Sequence, residues 1–457
     1  MVQSKPKLIL LITIDCLRAD HLGCLGYDRN VSPYIDELAK GGVTFSQAIS
    51  QSSATLGAFP AIFASRYGLN AYDGNGNLKD LPTIPKLLKE EGYVTAGFNS
   101  NPFLSRVYNW NQGFDYFYDN FESTRFIRNK KLYSLVGNIN RLFNYALSND
   151  PCLSADGINR KAFKWLESNY TQGSNVFLWL HYMDAHGPYV LPKSHQKPFL
   201  KKPLSNREIR KLCHKAGRVK KRENLSDYEN NTLKNLYDAE IWYVDEQLKS
   251  LMQELKKCEL YEESLIIITS DHGEELCQHG RFRHGGAYDE VLRVPLLLLY
   301  PGEIPKGKMI SRQIRLIDLA PTITDILDKK PPGTWEGESL LPLLKKQNVE
   351  YRPKEAYSWN STPSSSVTYY SIRTEEYKYI ITIRKDEGTR EEAFDLLNDP
   401  LETKNLIEHS TKLHPSLQMI QAKLHNFMAK FDRDHIAQKS DLNREIEEKL
   451  RYLGYMD

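Results

Sequence analysis

Leu8-Ile9-Leu10-Leu11-Ile12-Thr13-Ile14 runs straight into Asp15. The run is about a third of a membrane span and half a secretory h-region, so it reads as a strand buried on both faces. Such strands belong to parallel sheets covered by helices. A carboxylate placed right after one lies where open α/β sheets hold their ligands.

The pattern repeats outward from this strand. Helical periodicity over 32–40 and 83–91, then apolar strands over 94–98, 176–180, 265–269 and 294–300, predict an α/β fold built on a mostly parallel, doubly wound sheet. A long helix over 233–255 feeds the strand that ends at Asp271. Pro331-Pro332-Gly333 and the polar run 348–353 mark looser connections. Beyond them, 369–373, 377–384 and 392–396 read as short antiparallel strands, with helix from His414 onward. These elements place a catalytic domain at 1–350 and a smaller antiparallel-sheet-plus-helix subdomain at 351–457.

Composition narrows the function. The formal charge of +3, from 61 basic and 58 acidic side chains, gives no basis for a dedicated nucleic-acid binder. No stretch approaches the roughly 18 apolar residues of a spanning helix, so no transmembrane anchor is expected. The six cysteines are scattered without a CxxC pair, which fits thiols in a reducing, cytoplasmic compartment and argues against a structural zinc cluster. One segment, 193–224, is strongly basic, with Lys197, Lys201, Lys202, Arg207, Arg210, Lys211, Lys215, Arg218, Lys220, Lys221 and Arg222. It reads either as a solvated insertion or as a lid that attracts an anionic substrate.

Two strand ends carry metal-ligand chemistry. Asp15 closes the first strand, and Thr269-Ser270-Asp271-His272-Gly273-Glu274 closes the strand beginning at Leu265. Carboxylates with an imidazole suit one divalent metal ion, Mn2+ or Zn2+ by preference, with Mg2+ or Ca2+ as alternatives. A third element, Ser52-Ser53-Ala54-Thr55-Leu56-Gly57-Ala58-Phe59, opens a helix. Thr55 there is either an N-cap or, beside a metal and a helix amino end, a nucleophile.

These stretches together resemble the sulfatase branch of the alkaline phosphatase superfamily. The resemblance rests on Ile14-Asp15-Cys16-Leu17-Arg18-Ala19-Asp20-His21-Leu22-Gly23 with Gly26-Tyr27, on Ser32-Pro33-Tyr34-Ile35-Asp36-Glu37-Leu38-Ala39, and on Ser270-Asp271-His272-Gly273-Glu274. It continues through Val294-Pro295-Leu296, Asp318-Leu319-Ala320-Pro321-Thr322, Gly337-Glu338-Ser339-Leu340, Arg373 with Lys378-Tyr379, Asp395-Leu396, Asp399-Pro400, Asn405-Leu406 and Leu453-Gly454-Tyr455. It implies an alkaline-phosphatase-like fold, with Asp15, Asp271 and His272 as metal ligands and Thr55 at the nucleophile position and on the same metal. Sulfatases carry there a cysteine, converted to formylglycine, in a Cys-x-Pro/Ala-x-Arg signature. Here Thr55, Gly57 and Phe59 stand instead.

A threonine with an Asp-His pair is similar to the lipoteichoic acid synthases and phosphoethanolamine transferases, which pass phospho-groups through a phosphothreonine. Other departures are Cys16, where the family has a second acid, and 100–102, where its Lys-x-His pair is absent. Cys16 reads as a soft ligand or a small buried residue. Asn99 and Asn101 read as substrate-oxygen ligands or loop residues. By the same resemblance His186 contacts the transferred group, His284 replaces a family lysine, and His279 lies between Asp271 and His284 in a Gly/His-rich loop. The expected activity is metal-dependent hydrolysis or transfer of phosphate esters through Thr55, with His186 or His279 as general acid and His284 on the non-bridging oxygens. The alternatives are a sulfuric ester hydrolase working without formylglycine, and a non-catalytic binding protein. The partner in each enzymatic reading is an anionic phosphate- or sulfate-ester substrate.

Overall fold

The computed structural model describes residues 5–73, 76–119, 153–170, 173–218, 225–345, 351–361, 366–409 and 413–435. Lys220, Lys221 and Arg222 of the basic segment, Cys152 and the Leu453-Gly454-Tyr455 ending lie outside the described residues.

The first strand, β1 (Leu8–Ile14), has no exposed residue. Its side chains alternate between two cores. Leu8, Leu10, Ile12 and Ile14 join one apolar layer, and Ile9 and Leu11 join the other, as a strand's two-residue period requires. The same sheet contains β2 (Val43–Ile49), β3 (Tyr93–Phe98), β4 (Tyr116–Tyr118), β5 (Asn175–Tyr182) and β6 (Ser264–Ser270). A hairpin, β7 (Glu275–Leu276) with β8 (Phe282–Arg283), precedes β9 (Arg293–Leu299), β10 (Lys308–Ile310) and β11 (Ile314–Arg315). The order is β10-β2-β9-β6-β1-β5-β3-β4, with β11 also on β2. Neighbours are parallel except at β9, which is antiparallel to both β2 and β6. The apolar run at 293–299 gives no sign of this reversal, because a strand buried on both faces looks alike in either direction.

Helices cover both faces. Residues of α1 (Pro33–Gly41), α4 (Ala155–Asn169), α5 (Asn206–Arg218) and α6 (Asp227–Lys257) pack in the first layer. Residues of α2 (Thr55–Ala64), α3 (Ile84–Glu90) and α7 (Leu319–Ile326) pack in the second. The long helix α6 begins with a capping box of Ser226 and Glu229, which places its start before the apolar periodicity becomes legible. Its buried Asp238 receives Tyr27 Oη at 2.9 Å, His21 Nδ1 at 2.8 Å and the Arg29 guanidinium. That carboxylate pins the loop between β1 and α1. Gly23 has no alternative in this loop, since a Cβ there would lie 2.2 Å from Asp36 Oδ2.

The basic segment is partly built into the fold. Ile209, Cys213 and Ala216 on α5 are buried in the first core, and Lys215 pairs with Glu229 of the capping box at 2.6 Å.

The second sheet is antiparallel, β12 (Ala356–Ser361), β13 (Val367–Arg373), β14 (Tyr377–Arg384) and β15 (Gly388–Asp395). It carries α8 (Pro415–His435) on one side. On the other, Ala356, Tyr369, Ile380 and Phe394 pack with Ile49, Val291 and Leu292. A charged joint crosses the same seam. Lys378, fully buried, lies 2.8 Å from both Asp289 and Glu402, and Arg373 reaches Asp289 at 2.9 Å. Removing one member of such a cluster strands the others in low dielectric. Lys378→Ala is expected to lower unfolding free energy by about 3–5 kcal/mol in a denaturant titration, whereas Lys385→Ala, at the exposed end of β14, should cost under about 0.5 kcal/mol.

Candidate metal and nucleophile site

Register brings the site together. Ile14 stands opposite Tyr182 of β5 and Ser270 of β6, so the next residues, Asp15 and Asp271, leave the sheet at one level. Asp15, His181, Asp271 and His272 are all fully buried. One oxygen or nitrogen from each of Asp15, Asp271 and His272 lies within 4.8 Å of the others. His272 Nε2 is 3.8 Å from Asp15 Oδ1 and 3.5 Å from Asp271 Oδ2. The other ring nitrogen, Nδ1, is 3.0 Å from the Gly273 carbonyl. The ring proton therefore sits on Nδ1, and the Nε2 lone pair faces the carboxylates.

Asp15 Oδ1 and Asp271 Oδ2 are buried with no hydrogen-bond partner. Burial pushes the Asp15 carboxyl up, but the nearby His181, His186 and His272 rings outweigh it and hold the group well below the usual carboxylate range. Asp271 moves the other way, raised first by burial and then by the charge of Asp15. Two adjacent buried carboxylates with orphaned oxygens are costly unless a positive charge lies between them. With the Nε2 lone pair, this donor set fits a divalent cation.

Thr55 is the first residue of α2, whose N-cap is Ala54 with no side-chain cap. Its hydroxyl is therefore not spent as a cap, and lies 3.5 Å from His272 Nε2. The α2 amino end adds a favourable field for an anion. Gly57 is needed behind it, since a Cβ there would meet Ser52 Oγ at 2.2 Å. Phe59 is buried, its ring 5.6 Å from that of Trp179 and 5.2 Å from that of His181. An aromatic cluster thus occupies the position where the sulfatase signature has its arginine.

The histidines divide. His284 Nδ1 lies 3.2 Å from Glu274 Oε1, and its ring centroid is 4.6 Å from that of His272 and 5.1 Å from that of His186. Burial raises the Glu274 carboxyl, but the His284 hydrogen bond together with the charges of His284, His186 and His272 outweighs it and keeps the group below its ordinary value. His186 Nδ1 is 2.6 Å from the Gly187 carbonyl. Burial lowers the pKa of His186 more than Asp15 raises it. His279 is not brought to the cluster. Its Nδ1 meets Glu290 at 3.0 Å, its Nε2 meets the Glu402 carbonyl at 3.1 Å, and it stacks on Tyr288 at 3.7 Å.

The asparagines serve the scaffold. Asn101 donates from Nδ2 to Asp15 Oδ2 at 3.0 Å and accepts from Phe103 N at 3.0 Å, so it orients a metal ligand rather than facing substrate. Asn99 donates to the Leu104 carbonyl at 3.3 Å and ties down the loop after β3. His181, which follows the apolar strand ending at Leu180, takes no assigned role from sequence, yet its Nε2 is 3.5 Å from Asp15 Oδ2. Its Nδ1 is 2.9 Å from Thr13 Oγ1, which also accepts from Trp179 Nε1 at 3.0 Å. The signal that could have found it is its place at the end of β5, in register with Thr13.

Comparison with known proteins agrees with this architecture. The family model described as Sulfatase matches residues 7–329, and the model described as N-sulphoglucosamine sulphohydrolase, C-terminal, matches 277–434. Iduronate 2-sulfatase of Mus musculus is 25% identical, over 89% of this chain and 92% of that protein. A structure solved in complex with its substrate D-glucosamine-2-N,6-O-disulfate superposes with a TM-score of 0.73 at 19% identity, covering 96% of this chain and 100% of that one. The phosphonate monoester hydrolase of Agrobacterium radiobacter superposes with a TM-score of 0.70 at 20% identity, covering 94% and 96%. Among the described residues no helix is long and apolar enough to cross a membrane.

Asp271→Ala is expected to lose the bound divalent ion, read as metal per chain after desalting. Asn101→Ala should keep the fold and weaken metal affinity by about 10–100-fold, as loss of an orienting partner does. Unchanged affinity would remove Asn101 from that role.

Proposed function

The chain belongs to the sulfatase family of ester hydrolases, and from that premise we propose that it cleaves or transfers phosphate esters, with Thr55 as the nucleophile. The observation that carries this reading is the Thr55 hydroxyl at the start of α2, uncommitted to capping and 3.5 Å from His272 Nε2. When bound at Asp15, Asp271 and His272, a divalent cation supplies charge neutralisation for the developing oxyanions.

The chain's own groups supply the rest. Thr55 Oγ1 attacks phosphorus in line, aided by the α2 amino end. His284, oriented by the buried Glu274 carboxylate 3.2 Å from its Nδ1, is the general acid that protonates the departing alcohol oxygen from the opposite side of its ring. His279 has both nitrogens engaged elsewhere, so the acid role passes from it to His284. His186 carries its ring proton on Nδ1, toward Gly187, and its Nε2 accepts rather than donates. A water or a second alcohol then attacks the phosphothreonine, giving hydrolysis or transfer respectively.

Phosphorus is favoured over sulfur on chemical grounds. A formylglycine sulfate ester releases sulfate by elimination from its hydrated aldehyde, and a threonine sulfate ester has no such route. The phosphate diester of the proposed intermediate stays open to a second in-line attack. Sulfate-ester hydrolysis is the second reading, supported by the family models and the sulfatases among the relatives. The cytoplasmic setting belongs to the same proposal. It is supported by Cys16, Cys24, Cys213, Cys258 and Cys277, none of which is in a disulfide.

The test is a side-by-side rate assay on a chromogenic phosphate diester and the matching sulfate monoester with added Mn2+. Faster diester cleavage, reduced by roughly 10³-fold or more in Thr55→Ala, is expected. Preferential sulfate cleavage, or diester cleavage untouched by Thr55→Ala, would overturn the reading.

A further inference from the structure

The strand β12 touches both halves of the site. Ser358 Oγ donates to the Ser50 carbonyl at 2.5 Å, and Trp359 N donates to the Gln51 carbonyl at 3.0 Å. Those bonds fix the segment that leads into Thr55. One position further on, Asn360 Nδ2 donates at 3.0 Å to the carbonyl of Gly285, the residue after His284. Ser358 and Asn360 are two residues apart on a strand, so their side chains leave the same face about 7 Å apart.

The neighbouring strand grips the other end of the same loop. Tyr369 of β13 stands directly opposite Asn360, and facing residues of an antiparallel pair share one side of the sheet. The Arg281 guanidinium donates to Tyr369 Oη and lies over its ring at 4.9 Å, while Arg281 Nε is 3.1 Å from Glu275 Oε2. The loop from Arg281 to Gly285 is thus held at both ends by one cross-strand pair. Arg283 and Gly285, on either side of His284, have φ of 80° and 117°, and a left-handed arginine persists only where its surroundings enforce it. The sheet that grips the loop is itself fixed against the larger one through Ile49, Val291 and Leu292.

We propose that Asn360 and Tyr369 are positioning residues of the active site. With Ser358 they make the C-terminal sheet a strut that sets the spacing between the Thr55 hydroxyl and the His284 ring. Each acts through the loop and not by contact with the reacting atoms. The inference rests on the reading in which His284 is the general acid. Proton transfer to a leaving oxygen requires the donor within hydrogen-bond reach of that oxygen. A small drift of the loop therefore weakens the acid while the nucleophile and the metal ligands stay in place. The loss is felt where the leaving group needs a proton. A nitrophenolate departs without one, and an alkoxide does not.

The test uses the full chain and two esters of the class that the wild type cleaves faster, phosphate diester or sulfate monoester. One ester has 4-nitrophenol as its leaving group and the other an alkyl alcohol. Asn360→Ala is expected to raise the ratio of nitrophenyl to alkyl kcat by roughly 10–100-fold over wild type. His284→Gln, which removes the acid, should raise it at least as far. A merely structural loss would lower both rates alike and leave the ratio where it was. An unchanged ratio in Asn360→Ala beside a raised one in His284→Gln overturns the positioning inference and leaves His284 as the acid. An unchanged ratio in His284→Gln overturns that reading and this inference together. Tyr369→Phe, which keeps the ring and frees the Arg281 end of the loop, is read in the same way and decides if Asn360→Ala does not fold.

Discussion

The structure depends on the burial of β1 between β5 and β6. A strand with no exposed residue has nowhere to put a polar side chain except beyond its end, and the unbroken parallel register with both neighbours decides what meets there. Asp15 and Asp271 are thereby forced side by side out of water. Each carboxylate would be tolerable alone with hydrogen-bond donors around it. Together, with one oxygen of each unpartnered, they create a local demand for positive charge that a divalent ion satisfies. The surrounding groups then follow. Asn101 and His181 hold one carboxylate, the Gly273 carbonyl fixes the proton of His272, and Glu274 stands behind His284.

Around this centre the chain departs from its family in a coordinated way. Phe59, where an arginine is the family pattern, packs its ring against Trp179 and His181. Thr55 and Phe59 lie about one turn apart on the same helix, α2. Cys16, next to Asp15, is fully buried. The sheet that presents these residues keeps the fold of the family's solved structures.

The C-terminal sheet is joined to the larger one by an apolar seam and a buried charged knot. Ile49, Val291 and Leu292 lie on one side of the seam and Ala356, Ile380 and Phe394 on the other. Lys378 and Arg373 converge on Asp289, which lies just before β9. Because β9 pairs with β6, the knot anchors the segment that follows the metal ligands. The landmark status of Arg373 and Lys378 in the sequence is thus a matter of docking rather than of chemistry.

Periodicity alone made β1, the long helix and the strands at 377–384 and 265–269 legible, because their apolar patterns are continuous and their lengths suit one element type. It also placed Asp15 and the Asp271-His272 pair at strand ends, and the motifs around them identified the family. The antiparallel direction of β9 and the strands β2 and β12 were not legible, since direction and edge pairing leave little trace in a local pattern. The roles of single polar residues were decided only by tertiary structure. His279 and His284 are alike in sequence, one in the turn between β7 and β8 and the other just after β8, yet the first is engaged by Glu290 and Glu402 and the second stands over His272. Asn101 reads from sequence as a substrate-oxygen ligand or a loop residue, and in the structure its Nδ2 donates to Asp15 Oδ2. A sequence determines which donors a chain owns and where its strands end. Which donor atoms come within a few ångströms of one another depends on register and loop path, through contacts between residues hundreds of positions apart.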